Sequence, residues 1–368
     1  MPNLAHGIQA ADVTKTIDLL ISNLVDIKDQ TGEFLLRLDD GRVIDTKGWN
    51  DWEWTHGIGL YGMWKYYEQT NNARAFQIML DWFRDRFAAG TPTKNINTVS
   101  PFLTLAYLYE KTGDQSYIPY LDTWAEWVMD GLPKTEEGGF QHIVFNSENP
   151  QQLWDDTLMM SVLPLAKIGL LLNRPEYVEE AKRQFLIHIK YLFDTKTGLW
   201  FHGWTFDGRH NFANALWARG NCWVTIAIPE FIELLDLKKG DPLRTFLIDT
   251  LENQVKALAK YQSEEGRWHT LIDDPSSYLE SSAAAGFAYG IMKAVRKRYI
   301  SAEYEPMAIK AVKAVLAKIA PDGELQDVSF GTALGSDLQY YRDVKLTSMP
   351  YGQSLAILCL TELMRRFI

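Results

Sequence analysis

The sequence lacks the features that would assign the chain to nucleic acid, to an anionic membrane or to an oxidising compartment. It has only two cysteines, Cys222 and Cys359, which are too few for a disulfide framework. Its 37 Lys and Arg residues are outnumbered by 47 Asp and Glu residues, and the formal net charge is −10. That surplus of negative charge argues against nucleic acid and anionic membranes as partners.

Long apolar segments are also missing. The longest apolar run, 158–172, is interrupted by Pro164 and Lys167 and is too short to span a bilayer. Residues 1–15 contain no basic segment followed by an apolar core, so no signal peptide is predicted. With so few cysteines, these features predict a cytoplasmic protein.

Motifs of several common enzyme classes are absent. There is no H-E-x-x-H, C-x-x-C, G-x-S-x-G or phosphate-loop sequence, which disfavours metal, redox, acyl-transfer and nucleotide chemistry, and we expect no metal ion and no cofactor. Residues 57–62 fit G-x-G-x-x-G by letter, but no buried strand precedes them. We interpret these glycines as small residues that let helices pack closely.

Aromatic residues, in contrast, are abundant. The 13 Trp and 17 Tyr exceed what packing requires in a chain with 46% hydrophobic and 23% charged residues. Sugar rings stack on aromatic faces, although large helical cores also use Trp. The composition therefore favours a globular protein that binds carbohydrate.

Apolar residues recur at steps of three and four along most of the chain, which predicts about twelve helices. The predicted segments are roughly 11–29, 53–69, 72–88, 98–112, 115–130, 155–172, 176–193, 213–236, 241–261, 278–299, 303–319 and 350–367.

A short extended piece, a glycine followed by a large apolar residue, recurs between alternate helices. Its copies lie at 32–34, 139–140, 198–200, 266–268 and 323–325, with room for a shortened copy near Gly90. This repeat predicts six helical hairpins that close into a ring, an all-α (α/α)6 barrel forming a single domain over residues 1–368. The loops that carry the short extended pieces should gather at one end and form a funnel.

Two adjacent carboxylates, Asp155 and Asp156, follow Trp154 where a loop becomes a helix. One of them could simply cap the helix, because unpaired N–H groups at a helix start attract an anion. Consecutive helical residues point about 100° apart, so if Asp155 caps or faces solvent, Asp156 can face whatever Trp154 lines.

Two further stretches contain candidate site residues. His202 lies among aromatics and glycines in a loop, where both a structural and a functional role stay open. Arg219 and Trp223 are one helical turn apart, which places a cation beside an aromatic face and suits a carboxylated sugar. The alternative is that Arg219 closes a salt bridge between helices.

In combination these segments resemble the unsaturated rhamnogalacturonyl hydrolases, glycoside hydrolase family 105, over nearly the whole chain. His142 followed by Q-L-W-D-D-T-L-M-M at 152–160 is similar to the family's His and Gln-x-Trp-x-Asp-[Gly/Thr]-x-x-Met. Residues 198–204 resemble its G-L-x-x-H-G-W, residues 217–223 its W-A-R-G-N-x-W, and residues 278–283 its Y-x-[ET]-[ST]-x-[AS].

The resemblance implies an (α/α)6 barrel that acts on an unsaturated uronic acid at the non-reducing end of a short pectin fragment. It implies Asp156 as the catalytic acid and base. The resemblance also implies substrate contacts from Trp54, His142, His202, Trp217, Arg219 and Trp223. Trp154 and Asn97 are further candidate substrate contacts from their positions in the sequence. Several relatives have an Asp where this chain has Asn97, which can hold a hydroxyl or a water but cannot act as a second acid.

An unsaturated uronate suits a site with one confident carboxylate, because its C4=C5 bond belongs to a vinyl ether that is hydrated rather than displaced. Asp156 would protonate C4 and then activate water to attack C5, which requires a pKa raised by burial beside Trp154 and by the charge of Asp155. The alternatives are a glucuronyl hydrolase acting on glycosaminoglycan fragments, a sugar epimerase on a similar barrel, and a non-catalytic helical carbohydrate-binding protein.

Overall fold

Helices dominate the computed structural model, which describes residues 4–366. They are α1 (Ala10–Asp26), α2 (Trp54–Thr70), α3 (Ala73–Ala89), α4 (Ile96–Val99), α5 (Pro101–Thr112), α6 (Ile118–Glu126), α7 (Leu163–Leu171), α8 (Pro175–Leu192), α9 (Ala218–Leu234), α10 (Pro242–Tyr261), α11 (Ser281–Arg296), α12 (Glu305–Leu316), α13 (Leu338–Asp343) and α14 (Pro350–Met364). Two π-helical turns, Trp127–Gly131 and Leu158–Val162, follow α6 and precede α7.

The described strands are short and form two-stranded antiparallel sheets. They pair β1 (Leu4–Ala5) with β2 (Ile8–Gln9), β3 (Leu35–Arg37) with β4 (Val43–Asp45), β5 (Gln152–Trp154) with β6 (Gly203–Thr205), and β7 (Trp268–His269) with β8 (Leu279–Glu280). In the β5–β6 pair, Trp154 lies opposite Gly203, which fixes the loop that ends at Asp155 and Asp156.

Six helices form a closed inner ring in the order α2, α5, α7, α9, α11 and α14, and α14 packs back against α2. The other long helices, α1, α3, α6, α8, α10 and α12, lie outside this ring. Outer helices are amphipathic: α1 buries Val13, Ile17, Leu20, Ile21 and Leu24, at steps of three and four. Inner helices such as α11 and α14 are buried along almost their whole length. The predicted (α/α)6 barrel is confirmed.

Glycines in α2 allow the inner helices to approach closely. A Cβ atom on Gly57 would collide with Ser100 and Pro101 beside α5, and one on Gly62 would lie 3.1 Å from Ile357 of α14. The interpretation of these glycines as packing residues is confirmed.

Most connections that enter the inner helices are long, whereas the returns to the outer helices are short. The entering connections run over 27–53, 90–95, 132–157, 193–217, 262–280 and 317–349, of which only 90–95 is short. Each predicted glycine-apolar copy falls in one of them, and residues from several line one cavity. The predicted gathering of these loops at one end is confirmed.

Some predicted boundaries are wrong. The helix predicted over 213–236 begins at Ala218, because Trp217 is extended and pairs with Leu271 in a β-bridge. Likewise the helix predicted over 278–299 begins at Ser281, after β8. The segment 350–367 is helical only to Met364, and residue 367 lies outside the described residues.

One large cluster of buried apolar side chains extends from Val13 to Leu363. The single domain over residues 1–368 stays a prediction. Across residues 4–366, no helix combines the length and the hydrophobicity needed to cross a bilayer.

Candidate active site

Three helices, α2, α4 and α9, begin around one cavity. Trp54 is the first residue of α2, Asn97 and Arg219 are second residues of α4 and α9, and all three line a space of about 360 Å³. Helix N-termini carry partial positive charge, so a cavity at their convergence favours an anion.

The structure brings together most of the residues predicted for the site. Those that line the cavity are Trp54, Asn97, His142, Trp154, Asp156, Trp217 and Arg219. His202 and Trp223 do not line it: His202 is 1% exposed and Trp223 is 0% exposed.

Asp156 is the carboxylate that faces the cavity, and its side chain is 16% exposed. His202 Nε2 lies 3.6 Å from its Oδ2 atom, while His202 Nδ1 lies 2.8 Å from the Tyr341 hydroxyl. The second histidine of the site, His142, has its Nδ1 atom 2.8 Å from the Thr157 hydroxyl. Each imidazole is therefore held in orientation by a hydroxyl group on its Nδ1 side.

Asp155 faces away from solvent and from the cavity. It is completely buried, neither carboxyl oxygen has a hydrogen-bond partner among the described residues, and its backbone N–H donates to His202 O at 3.1 Å. A side chain at Gly220 would collide with this carboxyl group, which explains the glycine after Arg219. Neither Asp155 nor Asp156 caps the following helix with its side chain, so the capping interpretation is wrong.

The two adjacent carboxyl groups have opposite pKa shifts. Burial raises the pKa of Asp155 well above its usual range, and the neighbouring Asp156 charge adds to this. Burial also opposes ionisation of Asp156, but His202 and His142 outweigh it and lower the Asp156 pKa to about 2. The expectation of a raised Asp156 pKa is wrong: the two shifts favour the proton on Asp155 and the ionised form of Asp156.

Aromatic rings build the wall around Asp156. Trp154 stacks on His142 with ring centroids 4.2 Å apart, and its Nε1 donates to Gln152 Oε1 at 2.9 Å. Trp54 stacks on Tyr351 at 4.7 Å. Because packing fixes the orientation of these rings, the wall is preorganised for a flat ligand.

The terminal N–H groups of Arg219 are already engaged. Nη1 donates to the Ser329 carbonyl at 3.0 Å and to the Ser329 hydroxyl, and Nη2 donates to Phe330 O at 3.0 Å and to Thr332 Oγ1 at 3.2 Å. These bonds anchor residues 329–332, of which 330–332 line the cavity. Arg219 also lies 3.6 Å from Glu280, the N-cap of α11, as the salt-bridge alternative predicted.

The predicted pairing of Arg219 with Trp223 is not observed. The guanidinium lies over Trp217 at 4.8 Å and Tyr351 at 4.7 Å instead. Trp223 meets the edge of Trp54 at 5.7 Å. Trp223 thus supports the cavity wall from behind.

Asn97 is half-buried at the cavity, and its amide has no hydrogen-bond partner among residues 4–366. It is free to bind a hydroxyl or a water, as its chemistry predicts.

Sequence reasoning missed several residues of the site. Glu53 lines the cavity beside Trp54, Tyr341 orients His202, and Phe34 and Phe330 meet at 5.5 Å in the cavity wall. The Trp52-Glu53-Trp54 sequence was a signal, since a carboxyl group between two tryptophans at a helix start is unusual for a solvated surface.

Asp155, Asp156 and His202 are the three residues of the described chain whose ligand atoms lie close enough together, within 4.8 Å, to hold a metal ion. The same arrangement suits proton transfer, since it places an acid, a carboxylate and an imidazole in contact. The expectation of a site without metal stays a prediction.

The family model described as Glycosyl Hydrolase Family 88 matches residues 26–367. The unsaturated rhamnogalacturonyl hydrolase YesR of Bacillus subtilis (strain 168) is 33% identical over 317 residues, covering 85% of this chain and 90% of that protein. An unsaturated 3S-rhamnoglycuronyl hydrolase of Alteromonas sp. (strain LOR) is 27% identical over 236 residues, covering 60% of this chain and 56% of that protein.

A crystal structure described as a possible member of the GH105 family, from Salmonella enterica serovar Paratyphi A, is 61% identical. The match covers 99% of this chain and 97% of that chain, with a TM-score of 0.98. The resemblance seen in the sequence is confirmed. The chain belongs to Glycosyl Hydrolase Family 88 and is a glycoside hydrolase.

Proposed function

We propose that this glycoside hydrolase removes a 4,5-unsaturated galacturonic acid from the non-reducing end of rhamnogalacturonan oligosaccharides by hydration of the C4=C5 bond. The observation that carries the proposal is the Asp156 carboxyl group in an aromatic cavity, with His202 Nε2 3.6 Å away and the buried Asp155 next to it in the chain. Burial raises the pKa of Asp155, whereas His202 and His142 lower that of Asp156. The names of the rhamnogalacturonyl and rhamnoglycuronyl relatives support the substrate class.

A cavity at helix N-termini suits the uronate carboxylate. Ordinary glycosidases need two carboxyl groups placed across the scissile bond. The other carboxyl groups lining this cavity do not provide an obvious second one: Glu33 is paired with Lys345 at 2.8 Å, and burial raises the Glu53 pKa to about 8. Hydration of a vinyl ether requires only Asp156.

The reaction starts when the bound substrate carboxylate places a second negative charge near Asp156. That charge disfavours the ionised form of Asp156 and shifts the proton of the pair from Asp155 to Asp156. Asp156 then protonates C4, and the positive charge that develops is shared by C5 and the ring oxygen. The N–H of neutral His202 helps to stabilise the carboxylate that Asp156 becomes.

In the second half, the Asp156 carboxylate accepts a proton from water as the water oxygen bonds to C5. The product is a hemiketal, which opens to a ketone at C5 and releases the neighbouring sugar from C1. Asn97, whose amide is otherwise unpaired, binds a hydroxyl or the attacking water.

Arg219 contributes positive charge at the cavity wall and anchors residues 329–332, while the stacked Trp54 and Trp154 fix the sugar ring. His142, which stacks on Trp154, orients the reacting end of the substrate. Trp217, beneath the guanidinium of Arg219, and Trp223, behind Trp54, hold these groups in place. Both cysteines are free and buried, which fits the proposed cytoplasmic location.

The test is to incubate the protein with disaccharides produced by lyases from pectin and from glycosaminoglycans, and to follow the loss of ultraviolet absorbance from the conjugated double bond. We expect faster loss with the rhamnogalacturonan disaccharide. Faster loss with a glycosaminoglycan disaccharide would favour the glucuronyl hydrolase alternative. Binding without loss of absorbance would identify a carbohydrate-binding protein.

A further inference from the structure

Glu53 is a buried carboxyl group at the cavity that the reaction does not use. It is 4% exposed, it lines the cavity next to Trp54, and it forms no ion pair within the described residues. Its Oε2 atom accepts the Trp54 backbone N–H at 2.6 Å, whereas Oε1 has no partner there and is left open to the cavity.

The role of a helix cap alone does not explain why a glutamate occupies position 53. Short side chains, Ser, Thr, Asp and Asn, are the preferred caps, and one oxygen is sufficient for that role. A buried charge without a cation is costly, so burial favours the neutral acid form of this carboxyl group. Burial raises the Glu53 pKa to about 8, and the charge of nearby Asp51 adds to the effect.

The cavity also lacks a free cation for an anionic ligand. Arg219 is the one Lys or Arg among the residues lining it, and both terminal nitrogens of Arg219 are bound to residues 329–332. Burial lowers the His142 pKa to about 3, so this imidazole is neutral. An acidic sugar must therefore be recognised here largely by neutral donors.

We propose that Glu53 is a specificity-determining residue whose neutral carboxyl group donates a hydrogen bond from Oε1 to the carboxylate of the uronic acid. This inference rests on the proposed function, since it requires an anionic sugar in the cavity. An O–H to carboxylate hydrogen bond is among the stronger ones available, and an ionised Glu53 would instead repel the substrate. The same carboxyl group that admits the substrate at neutral pH excludes it in alkali.

The test is the pH dependence of KM and kcat for the unsaturated disaccharide between pH 6 and 9.5. In the native protein we expect KM to be flat below pH 8 and to rise by about tenfold per pH unit above it, because each substrate bound requires one proton on Glu53. The kcat value should not follow this rise, because substrate binds only to the protonated form. The titratable groups that surround this part of the cavity are Asp51, Asp156, His142, Arg219 and Glu33.

The Glu53→Gln variant shows whether the pH dependence of KM comes from Glu53 or from those other titratable groups. Glutamine keeps the size, a donor and a capping oxygen but does not titrate, so KM should stay flat through pH 9.5. Glu148→Gln is the matched control: it removes an exposed carboxylate of a loop near the cavity, and KM should rise as in the native protein. A native KM that stays flat, or a Glu53→Gln KM that rises as steeply as the native one, would overturn the inference.

A second measurement needs no variant. The methyl ester of the disaccharide carries no charge, so its KM with the native protein should rise much less above pH 8 than that of the free acid. Equal rises for acid and ester would overturn the role of Glu53 even if Glu53→Gln failed to fold. Absence of any turnover at pH 7 would instead contradict the proposed function itself.

Discussion

Two buried carboxyl groups, Asp155 at the cavity end of the inner barrel and Glu230 at the far end, are partnered in opposite ways. At the cavity end, both oxygens of Asp155, the Oδ2 atom of Asp156 and the Nε2 atom of His202 are buried without a hydrogen-bond partner. At the far end, buried Glu230 accepts the Tyr61 hydroxyl at 2.7 Å and pairs with Lys293 at 2.6 Å.

The far-end network joins the C-terminal halves of three inner helices. Lys65 of α2 lies 3.8 Å from Glu230 of α9, and Lys293 of α11 pairs with both Glu230 and Glu233. Since a helix rises about 1.5 Å per residue, Glu230 lies roughly 16 Å from Arg219 at the start of the same helix. Charges at the far end therefore stabilise the ring without touching the cavity.

An unpartnered buried polar group typically costs about 1–3 kcal/mol. Natural sequences tolerate such groups where function requires them, and Asp155 and Asp156 at the cavity end have unpartnered carboxyl oxygens, whereas Glu230 at the far end is paired. The comparison predicts that substitutions of the unpartnered carboxyl groups at the cavity end change catalysis with little effect on stability, and that substitutions in the Glu230 network do the reverse.

The largest expected effect is that of Asp156→Asn. Asparagine is nearly isosteric but can neither protonate C4 nor deprotonate water, and general acid–base assistance is typically worth about 10²–10⁴-fold. We expect kcat to fall by at least that range with an unchanged Tm, measured by absorbance decay and thermal melting. A folded variant with nearly native turnover would contradict the role of Asp156.

Asp155→Asn is the matched control. Asparagine resembles the neutral Asp155 in shape but cannot give its proton to Asp156, so we expect a smaller loss than for Asp156→Asn. The remaining rate should increase as the pH falls, because Asp156 must then be protonated from solvent. A greater loss than that of Asp156→Asn would transfer the catalytic role to Asp155.

The next largest effect is a loss of folding stability caused by the substitution Lys293→Met at the far end of the barrel. Lys293→Met leaves Glu230 without its closest cation, and breaking a buried ion pair typically costs about 3–5 kcal/mol. Denaturant unfolding should show this loss, while kcat at low temperature stays near native. The exposed Lys256→Met is the control and should change stability little.

The same pair has a defined pH dependence. Burial opposes ionisation of Glu230, but Lys293 and Lys65 outweigh it and lower its pKa to about 2 from 4.5. A lowered pKa contributes stability above the unfolded value, and this contribution is lost as the pH falls from 4.5 towards 2. The native protein should lose stability over this window, and Lys293→Met should lose less.

Arg219→Ala tests the link between the wall and the substrate. It removes four hydrogen bonds to residues 329–332 and leaves Glu280 without its cation, so we expect a weaker substrate affinity by about 2–5 kcal/mol. The substitution Trp223→Phe should weaken the substrate affinity less than Arg219→Ala does. Arg219→Lys keeps the charge but not the four bonds; a native KM for Arg219→Lys would assign the effect to charge alone.

The smallest effect is expected for Asn97→Ala. It removes one positioning hydrogen bond, typically worth about 1 kcal/mol, so kcat/KM should fall several-fold. Loss of activity as complete as that of Asp156→Asn would give Asn97 a direct chemical role.

The ring of helices was predictable because each hairpin repeats a 3.6-residue pattern and a glycine-apolar turn. The orientation of the side chains at the starts of the helices was not predictable from the sequence. Asp155 and Asp156 precede the π-helical turn at Leu158, so the 100° step of a helix does not describe which of them is buried. Trp217 is extended rather than helical for a similar reason, a β-bridge to Leu271 that is distant in sequence.

The contacts of Arg219 could not be predicted from the sequence either. Ser329 and Thr332 lie more than a hundred residues further along the chain, and nothing local marks them as partners. The raised pKa of Asp155 and the lowered pKa of Asp156 likewise depend on burial and on His202, which only the folded chain brings together.

The most direct test of the hydration mechanism is the fate of solvent hydrogen during turnover in D₂O. If Asp156 protonates C4, the released uronate carries one deuterium at C4 in a single configuration, as mass spectrometry and NMR would show. Displacement at C1 would release the unsaturated sugar first, and its later conversion in solution would place deuterium at C4 in both configurations. A mixed C4 configuration at early times would contradict the central role given to Asp156.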